Sequence, residues 1–348
     1  MRIFHLVRSL GYGGLETVVI DLINGSRDRH DCFLGCLIEK GERFNKADVK
    51  GSWTGDLGRK SRVRVLFDLY HFLKRNRIDI VHSHNMEPHF YGAITGFAAG
   101  VPVVHTKHGR NFPDDLRRVR LNRLLAGFSS RIIAVSKDVA VVAKEIERVP
   151  AGKVVVVRNG AGRSPRHETP AGTVQGSLQT TDSGKTFIVG TAGRLSAEKN
   201  YPLLIKGFAL FCAGLENASE TRLLIVGDGS ERSDLERLAE KLGIGDRVEF
   251  AGMQDEVELF MRRMDVFCLT SRTEGCSVTL LEAGMCGLPA VVTDAGGNRE
   301  IVVDGETGMV VAQGDETGIA GALEKLYRRP ELRREMGEKG RVRVKEEF

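Results

Sequence analysis

Short apolar runs alternate along this chain with longer stretches in which apolar residues recur every three or four positions. In the first half, the runs Ile3–Val7, Cys32–Ile38, Asp79–His82, Pro102–Thr106, Arg131–Val135 and Lys153–Val157 predict strands. A short apolar run bounded by turn residues fits a strand buried on both faces. Between these runs, Thr17–Ile23, Ser61–Arg77, Asp114–Phe128 and Ser136–Arg148 carry helical periodicity, and Val65, Leu69 and Phe72 mark one such face. The pattern restarts in the second half. Strands are predicted at Thr186–Thr191, Arg222–Val226, Arg247–Ala251, Val266–Leu269 and Ala290–Thr293, with helices at Pro202–Ala213, Arg232–Leu242 and Glu256–Met264. Another helix opens at Ser277 as N-cap, places Val278, Leu281 and Met285 on one face, and is stopped by Gly287 and Pro289.

Strands alternating with helices in this way predict the α/β class. The expected architecture is two Rossmann-like parallel-sheet domains facing across a cleft, residues 1–160 and 161–330, with a helical tail over 331–348 that returns toward the first. Between the halves, Arg163–Lys185 is rich in Thr, Ser, Gly, Pro and Gln and reads as a linker or surface loop. Residues 39–60 are polar and Gly-rich and yield no element. The halves share an architecture but no sequence repeat.

A length of 348 residues suits two domains, and 41% apolar residues suffice for two cores. The net charge of +5, from 51 basic and 46 acidic residues, is too balanced to argue for nucleic acid and fits an anionic substrate or a membrane surface. Of the six cysteines only Cys32 and Cys36 lie close together, so no metal-binding spacing is present and buried thiols in a reducing cytoplasm are expected. No run approaches the roughly 18 apolar residues of a membrane span. Met1–Leu10 is broken by Arg2 and Arg8 and does not read as a signal peptide. The expected location is cytoplasmic, with peripheral attachment to the inner face of the membrane open.

Candidate chemistry gathers where predicted strands end. The loop after Val266–Leu269 holds Glu274, the following helix starts at Ser277 and Val278, and Glu282 lies more than a turn further on. Open amides and the helix dipole attract an anion there. A carboxylate on either side suits a ligand with phosphate in the middle and hydroxyls at both ends, which is the shape of a nucleotide sugar. Taken singly, a loop glutamate before a helix is usually a solvated charge, and a helical one usually surface. Arg194 and Lys199 share one strand-to-helix loop and could grip a diphosphate; ordinary loop charges, one paired with Glu198, are the alternative. No Asp-x-Asp occurs, so no divalent metal clamp and no cofactor are expected.

Near the N-terminus, Gly13, Gly14 and Glu16 follow the first strand. The dinucleotide fingerprint would need a glycine at Glu16, which speaks against an NAD enzyme. The glycines permit either close backbone approach to a ligand or a sharp turn with positive φ. His82, His84 and Asn85 end one strand; Lys107, His108 and Arg110 follow the next. That edge is where open α/β sheets bind ligands. In Asp114–Phe128, Leu116, Val119, Leu124 and Leu125 make an apolar stripe beside Arg117, Arg118, Arg120 and Arg123. The helix is either a solvated surface element packed on its sheet or a docking surface for an anionic membrane.

Together these motifs resemble the GT-B-fold, family-four retaining glycosyltransferases over nearly the whole chain. E-G-C-S-V-T-L-L-E is similar to that family's carboxylate pair, implying Glu274 on the donor sugar and Glu282 on the ribose. G-R-L-S-A-E-K-N resembles its phosphate clamp, implying Arg194 and Lys199 on the diphosphate, with Gly14, Ser277 and Val278 also on the donor side. G-G-L-E resembles the turn that approaches donor and acceptor, implying Gly13 and Glu16, with His84 and Asn85 as further acceptor contacts. His108 matches the histidine beside the anomeric centre, and Arg158–Gly160 the start of the interdomain linker. V-H-S-H-N and H-T-K-H-G are similar to wording in transferases of exopolysaccharide or lipopolysaccharide assembly. The resemblance implies transfer of a hexose from a nucleotide-diphosphate sugar, with uracil as the base, to a glycan or lipid-linked acceptor. It also implies retention by a same-face route, with the leaving phosphate deprotonating the acceptor.

The chain departs from the family in three places. N-G-A-G stands where N-G-V-D is common, Gly284 replaces a bulkier helix residue, and the chain stops at Phe348, so a shorter or truncated tail is expected. The competing readings are a nucleotide-sugar epimerase, which would need a different acid/base set, and a non-catalytic nucleotide-sugar-binding protein.

Overall fold

The computed structural model describes residues 1–110, 114–161, 186–216 and 218–348. It divides into two compact units, Met1–Asn159 and Gly160–Phe348. The linker expected at Arg163–Lys185 lies outside the described residues.

The first unit carries a seven-stranded sheet of β1 (Arg2–Val7), β2 (Asp31–Cys36), β3 (Gly51–Thr54), β4 (Ile80–His84), β5 (Val103–Lys107), β6 (Arg131–Ala134) and β7 (Val154–Val156). The order is β3-β2-β1-β4-β5-β6-β7, and each pairing is parallel. Its helices are α1 (Gly14–Ser26), α2 (Arg62–Arg75), α3 (Met86–Ala99), α4 (Leu116–Gly127) and α5 (Lys137–Val141). Strand parity sends Phe4 and Leu6 to one face, where they pack with Leu69 of α2 and Tyr91 of α3. Val7 goes to the opposite face and packs with Val19 and Ile23 of α1. Both faces are covered, which is why the strands read as nearly continuous apolar runs.

The second unit carries β8 (Phe187–Ala192), β9 (Thr221–Val226), β10 (Val248–Gly252), β11 (Val266–Leu269), β12 (Ala290–Thr293) and β13 (Gly308–Val311), all parallel in the order β10-β9-β8-β11-β12-β13. Its helices are α6 (Tyr201–Ala213), α7 (Arg232–Lys241), α8 (Val257–Met261), α9 (Val278–Met285), α10 (Asn298–Ile301), α11 (Glu316–Arg328) and α12 (Pro330–Glu347). Phe208 of α6 and Ile319 and Leu323 of α11 anchor one core against the sheet. α12 packs on α9, α11 and β13 within this same unit.

Both sheets reverse strand order at an interior point, between β1 and β4 and between β8 and β11. Ligands of doubly wound sheets bind at the carboxyl ends of strands at such a switch point. Side-chain caps start the helices there and elsewhere: Ser61, Asp115, Ser136, Ser277 and Asp315 each accept from a backbone N–H one turn in.

Three expectations drawn from the pattern do not hold. The helix over Ser136–Arg148 is split: α5 gives way to a π-helical turn, Val142–Ile146. The apolar stripe assigned to α4 does not exist as one face. Leu125 is buried with Asn122 and Ala126, whereas Leu116 and Leu124 point outward at 69% and 61% exposure. Leu125 and Leu124 are adjacent on a helix and cannot share a narrow face. Gly13 is extended rather than at positive φ, so the sharp-turn reading does not hold there.

Candidate active site

In the second unit the site is built from the loops leaving β8 and β11. Lys199 Nζ donates to Glu274 Oε1 at 2.6 Å, and both side chains are largely shielded from solvent. Ser271 Oγ donates to the same carboxylate oxygen at 2.6 Å. The two loops are also joined through backbone: Arg272 N–H donates to Glu198 O at 2.8 Å, and Thr270 Oγ1 to Asn200 O at 3.1 Å. The Glu274 carboxylate is therefore held by a cation and a hydroxyl rather than hanging in solvent. Lys199 pairs with Glu274 instead of Glu198. The exposed Glu198 carboxyl is held below its usual range first by its own backbone N–H and then by the Ser196 hydroxyl, with Arg194 and Lys199 adding charge.

Ser277 caps α9, its Oγ accepting from Leu280 N–H at 3.4 Å, and Val278 opens the helix. Glu282 is half-buried further along α9, and Arg194 is exposed on the β8 loop. A residue that pattern reasoning missed completes this corner. Gly296, at φ 52°, lies so close to the loop that an added Cβ would stand 2.0 Å from Glu274 O. Only glycine fits that left-handed, close-packed position. A cavity of about 410 Å³ adjoins the site, lined among others by Asn200, Lys206, Thr270, Arg272, Thr293 and Gln313.

In the first unit, Gly13 and Gly14 stand at the start of α1, with Glu16 in its first turn, at the carboxyl end of β1. His84 ends β4 and Asn85 leads into α3 at φ 64°. His108 follows β5 directly. Its Nε2 lies 3.1 Å from His84 Nδ1, and its backbone N–H donates to Asn85 Oδ1 at 3.4 Å. The structure thus brings His84, Asn85 and His108 together. Burial lowers the His108 pKa to about 3, with His82 acting in the same direction, and lowers His82 to about 4. Burial likewise holds His5 and His84 well below the ordinary imidazole range. These rings are neutral at neutral pH.

Two residues expected at this ligand edge are otherwise engaged. Lys107 is buried and pairs with Glu147 at 2.7 Å, and Arg110 makes a two-pronged contact with Asp138 at 3.0 Å. Position 107 shares strand parity with Val103 and His105, so its side chain runs under the sheet rather than off its edge. His5 went unremarked in sequence because its strand is otherwise apolar. It pairs in register with His82 and so lies among the other imidazoles.

Two doubly wound sheets, each with glycines and charges at the carboxyl ends of its strands, define the class of two-domain, Rossmann-like α/β proteins. The chain belongs to the family-four, GT-B-fold glycosyltransferases: the family described as "Glycosyltransferase Family 4" matches residues 12–162, and "Glycosyl transferases group 1" matches residues 179–343. Among similar proteins, N-acetyl-alpha-D-glucosaminyl L-malate synthase of Bacillus anthracis is 29% identical over 280 residues, 79% of this chain and 72% of that one. UDP-Gal:alpha-D-GlcNAc-diphosphoundecaprenol alpha-1,3-galactosyltransferase of Escherichia coli is 29% identical over 276 residues, 76% of this chain and 70% of that one. The fold is similar to that of Anabaena Alr3699/HepE, solved in complex with UDP and glucose, with a TM-score of 0.84 at 22% identity over 100% of this chain and 95% of that one. Among the described residues, no helix is long and apolar enough to cross a membrane.

Proposed function

We propose that this glycosyltransferase moves a hexose from a UDP-sugar to a glycan or lipid-linked acceptor in polysaccharide assembly, retaining anomeric configuration and using no divalent metal at the diphosphate. The observation that carries the reading is the Lys199–Glu274 pair at the head of α9. It is a cation and a carboxylate that neutralise one another until a ligand with both an anion and hydroxyls separates their roles. When the diphosphate arrives, Lys199 turns to it, and Glu274 is released to accept from sugar hydroxyls. Arg194 is the second cation, and the α9 amides at Ser277 and Val278 add neutral donors. Charge-assisted hydrogen bonds of this kind are worth about 1.5–3 kcal/mol each. They count most here because negative charge grows on the leaving phosphate.

Glu282 takes the ribose hydroxyls, and Gly14 gives the donor close backbone approach. Gly13, Glu16 and Asn85 serve the acceptor; His84, buried and 3.1 Å from His108, acts through it, and His108, neutral by burial, serves the reacting centre through hydrogen bonding rather than charge. The bond from the anomeric carbon to the phosphate oxygen breaks, the bond to the acceptor oxygen forms on the same face, and the acceptor proton passes to the departing phosphate. No protein carboxylate becomes covalently attached. The E. coli relative's diphosphoundecaprenol substrate and the UDP held by the Anabaena neighbour support the donor and acceptor classes.

The test begins with thermal shift against UDP-, GDP- and ADP-sugars in the presence of EDTA. A ligand at a hundredfold excess over its dissociation constant should add about 2.7 kcal/mol of stability, and uridine compounds should stand out. Product stereochemistry is then read by NMR for wild type and Glu274→Gln. The expected result is slower transfer with the same anomer. An inverted product, a glycosyl adduct trapped on a carboxylate, or transfer abolished by EDTA and restored by Mg²⁺ or Mn²⁺ but not by Zn²⁺ would overturn the mechanism.

A further inference from the structure

We propose that His5, His82 and His84 form a binding site for a borderline divalent transition-metal ion, with Zn²⁺ as the probe that fits best. The three residues come from β1 and β4, the two strands flanking the switch point of the first sheet. His5 and His82 are in register across the strand pair, and His82 and His84 are two apart on one strand. Parity therefore points all three to the same face. One ring nitrogen from each lies within 4.8 Å of the other two. His5 Nδ1 and His84 Nε2 are 3.4 Å apart, long for a hydrogen bond between rings. It is close to the ~3.3 Å that separates two nitrogens each ~2.05 Å from a tetrahedral ion.

Two of the rings, His82 and His84, are also oriented from outside the trio, as metal-bound imidazoles generally are. His84 Nδ1 faces His108 Nε2 at 3.1 Å, which leaves His84 Nε2 directed at His5. His82 Nε2 is held by Thr106 Oγ1 at 2.7 Å. The rings crowd one another, with His82 and His84 centroids 4.2 Å apart, and a shared ion would spread that pair slightly. His5 and His84 are buried and His82 is half-buried.

The donor set decides the ion. Three imidazoles with neither carboxylate nor thiolate in the trio favour Zn²⁺, Cu²⁺ or Ni²⁺ over Mg²⁺ or Ca²⁺. Three ligands leave a coordination position for water. The site asks nothing of the diphosphate and stands whether or not the sugar-transfer reading does. Its consequence for that reading is that an ion on His84 would stiffen the ring that orients His108.

The test uses the full chain, stripped with chelator and titrated with Zn²⁺ and with Co²⁺. The expected result is one ion per chain, visible d–d absorption from Co²⁺, and an X-ray absorption shell of three imidazoles. His5→Gln and His82→Gln should each weaken uptake at least about tenfold, with circular dichroism confirming that each variant is folded. Should a variant fail to fold, the absorption shell of the wild-type complex decides. Absence of stoichiometric uptake, unaltered uptake in both folded variants, or a shell of oxygen or sulfur alone overturns the proposal.

Discussion

Lys107 shows how far a single residue's role can depend on a partner distant in sequence. By position it is a strand-end cation beside the candidate His108. In the structure it is 2% exposed, its Nζ donates to Glu147 Oε1 at 2.7 Å, and Asn122 Nδ2 donates to the same oxygen at 2.6 Å. Glu147 reaches that point because the π turn after α5 re-phases the helix; its backbone N–H bonds Val142 O. A buried ion pair stabilises little in total, but losing one partner strands the other charge. Lys107→Met should therefore cost about 3–5 kcal/mol in urea unfolding. Lys107→Met with Glu147→Leu should recover much of that loss. If the single change costs under about 1 kcal/mol, as at an exposed pair, the interior assignment is wrong. The same dependence explains what was legible. Lys199 and Glu274 could be picked out as loop residues at strand ends, but their 2.6 Å bond, 75 residues apart in sequence, could not. His5 was hidden because a histidine inside an apolar strand gives no pattern of its own.

At the scale of elements, the strands buried in mid-sheet were the most legible. Val266–Leu269 and Ala290–Thr293 form over the residues that periodicity gave. β3 and β13 were missed; they are edge strands of four residues each, and β3 falls in the polar stretch 39–60. α3 was missed because its buried face mixes Tyr91 and Ala93 with His89, Thr95, Gly92 and Gly96. A Cβ at Gly96 would stand 2.4 Å from Val103 Cγ2, so the helix lies against β5 without the apolar period that marks a face. Gly284 in α9 has the same explanation. Propensity alone says that Gly284→Ala should stabilise the helix by up to about 1 kcal/mol. However, an added Cβ would meet Val344 Cγ2 of α12 at 2.7 Å. At Gly337 on α12 it would meet Gly287 O at 1.9 Å, a backbone atom that cannot rotate away. The prediction is that Gly284→Ala lowers the thermal midpoint despite the better propensity, and that Gly337→Ala lowers it more. A higher midpoint for Gly284→Ala would show that Val344 moves aside without cost.

At the scale of the whole molecule, the question is what carries the enzyme to its acceptor. The net charge of +5 is modest, but α4 concentrates basic residues: Arg117, Arg120 and Arg123 are exposed, and Arg118 bonds Asp115 at 3.1 Å. The outward positions of Leu116 and Leu124 strengthen the docking reading, because the exposed surface of α4 offers both charge and apolar side chains. Phe97, 68% exposed at the end of α3, and the half-exposed Phe128 stack edge-on nearby with centroids 5.1 Å apart. We expect this surface to bind anionic lipid. Each basic residue near an anionic leaflet contributes about 1 kcal/mol, so the four arginines together would hold the protein weakly. Weak attachment suits the proposed lipid-linked acceptor, because the enzyme would have to leave one and find another. Co-sedimentation with phosphatidylglycerol vesicles should capture the wild type at low salt and release it as salt screens the charges. Changing Arg117, Arg118, Arg120 and Arg123 to Gln should abolish capture while leaving thermal stability near wild type, because no core contact of α4 is removed. Neutral phosphatidylcholine vesicles should capture neither protein. Equal capture of both proteins by anionic vesicles, or capture of neither at low salt, would remove the membrane from the account and make a soluble glycan the better acceptor.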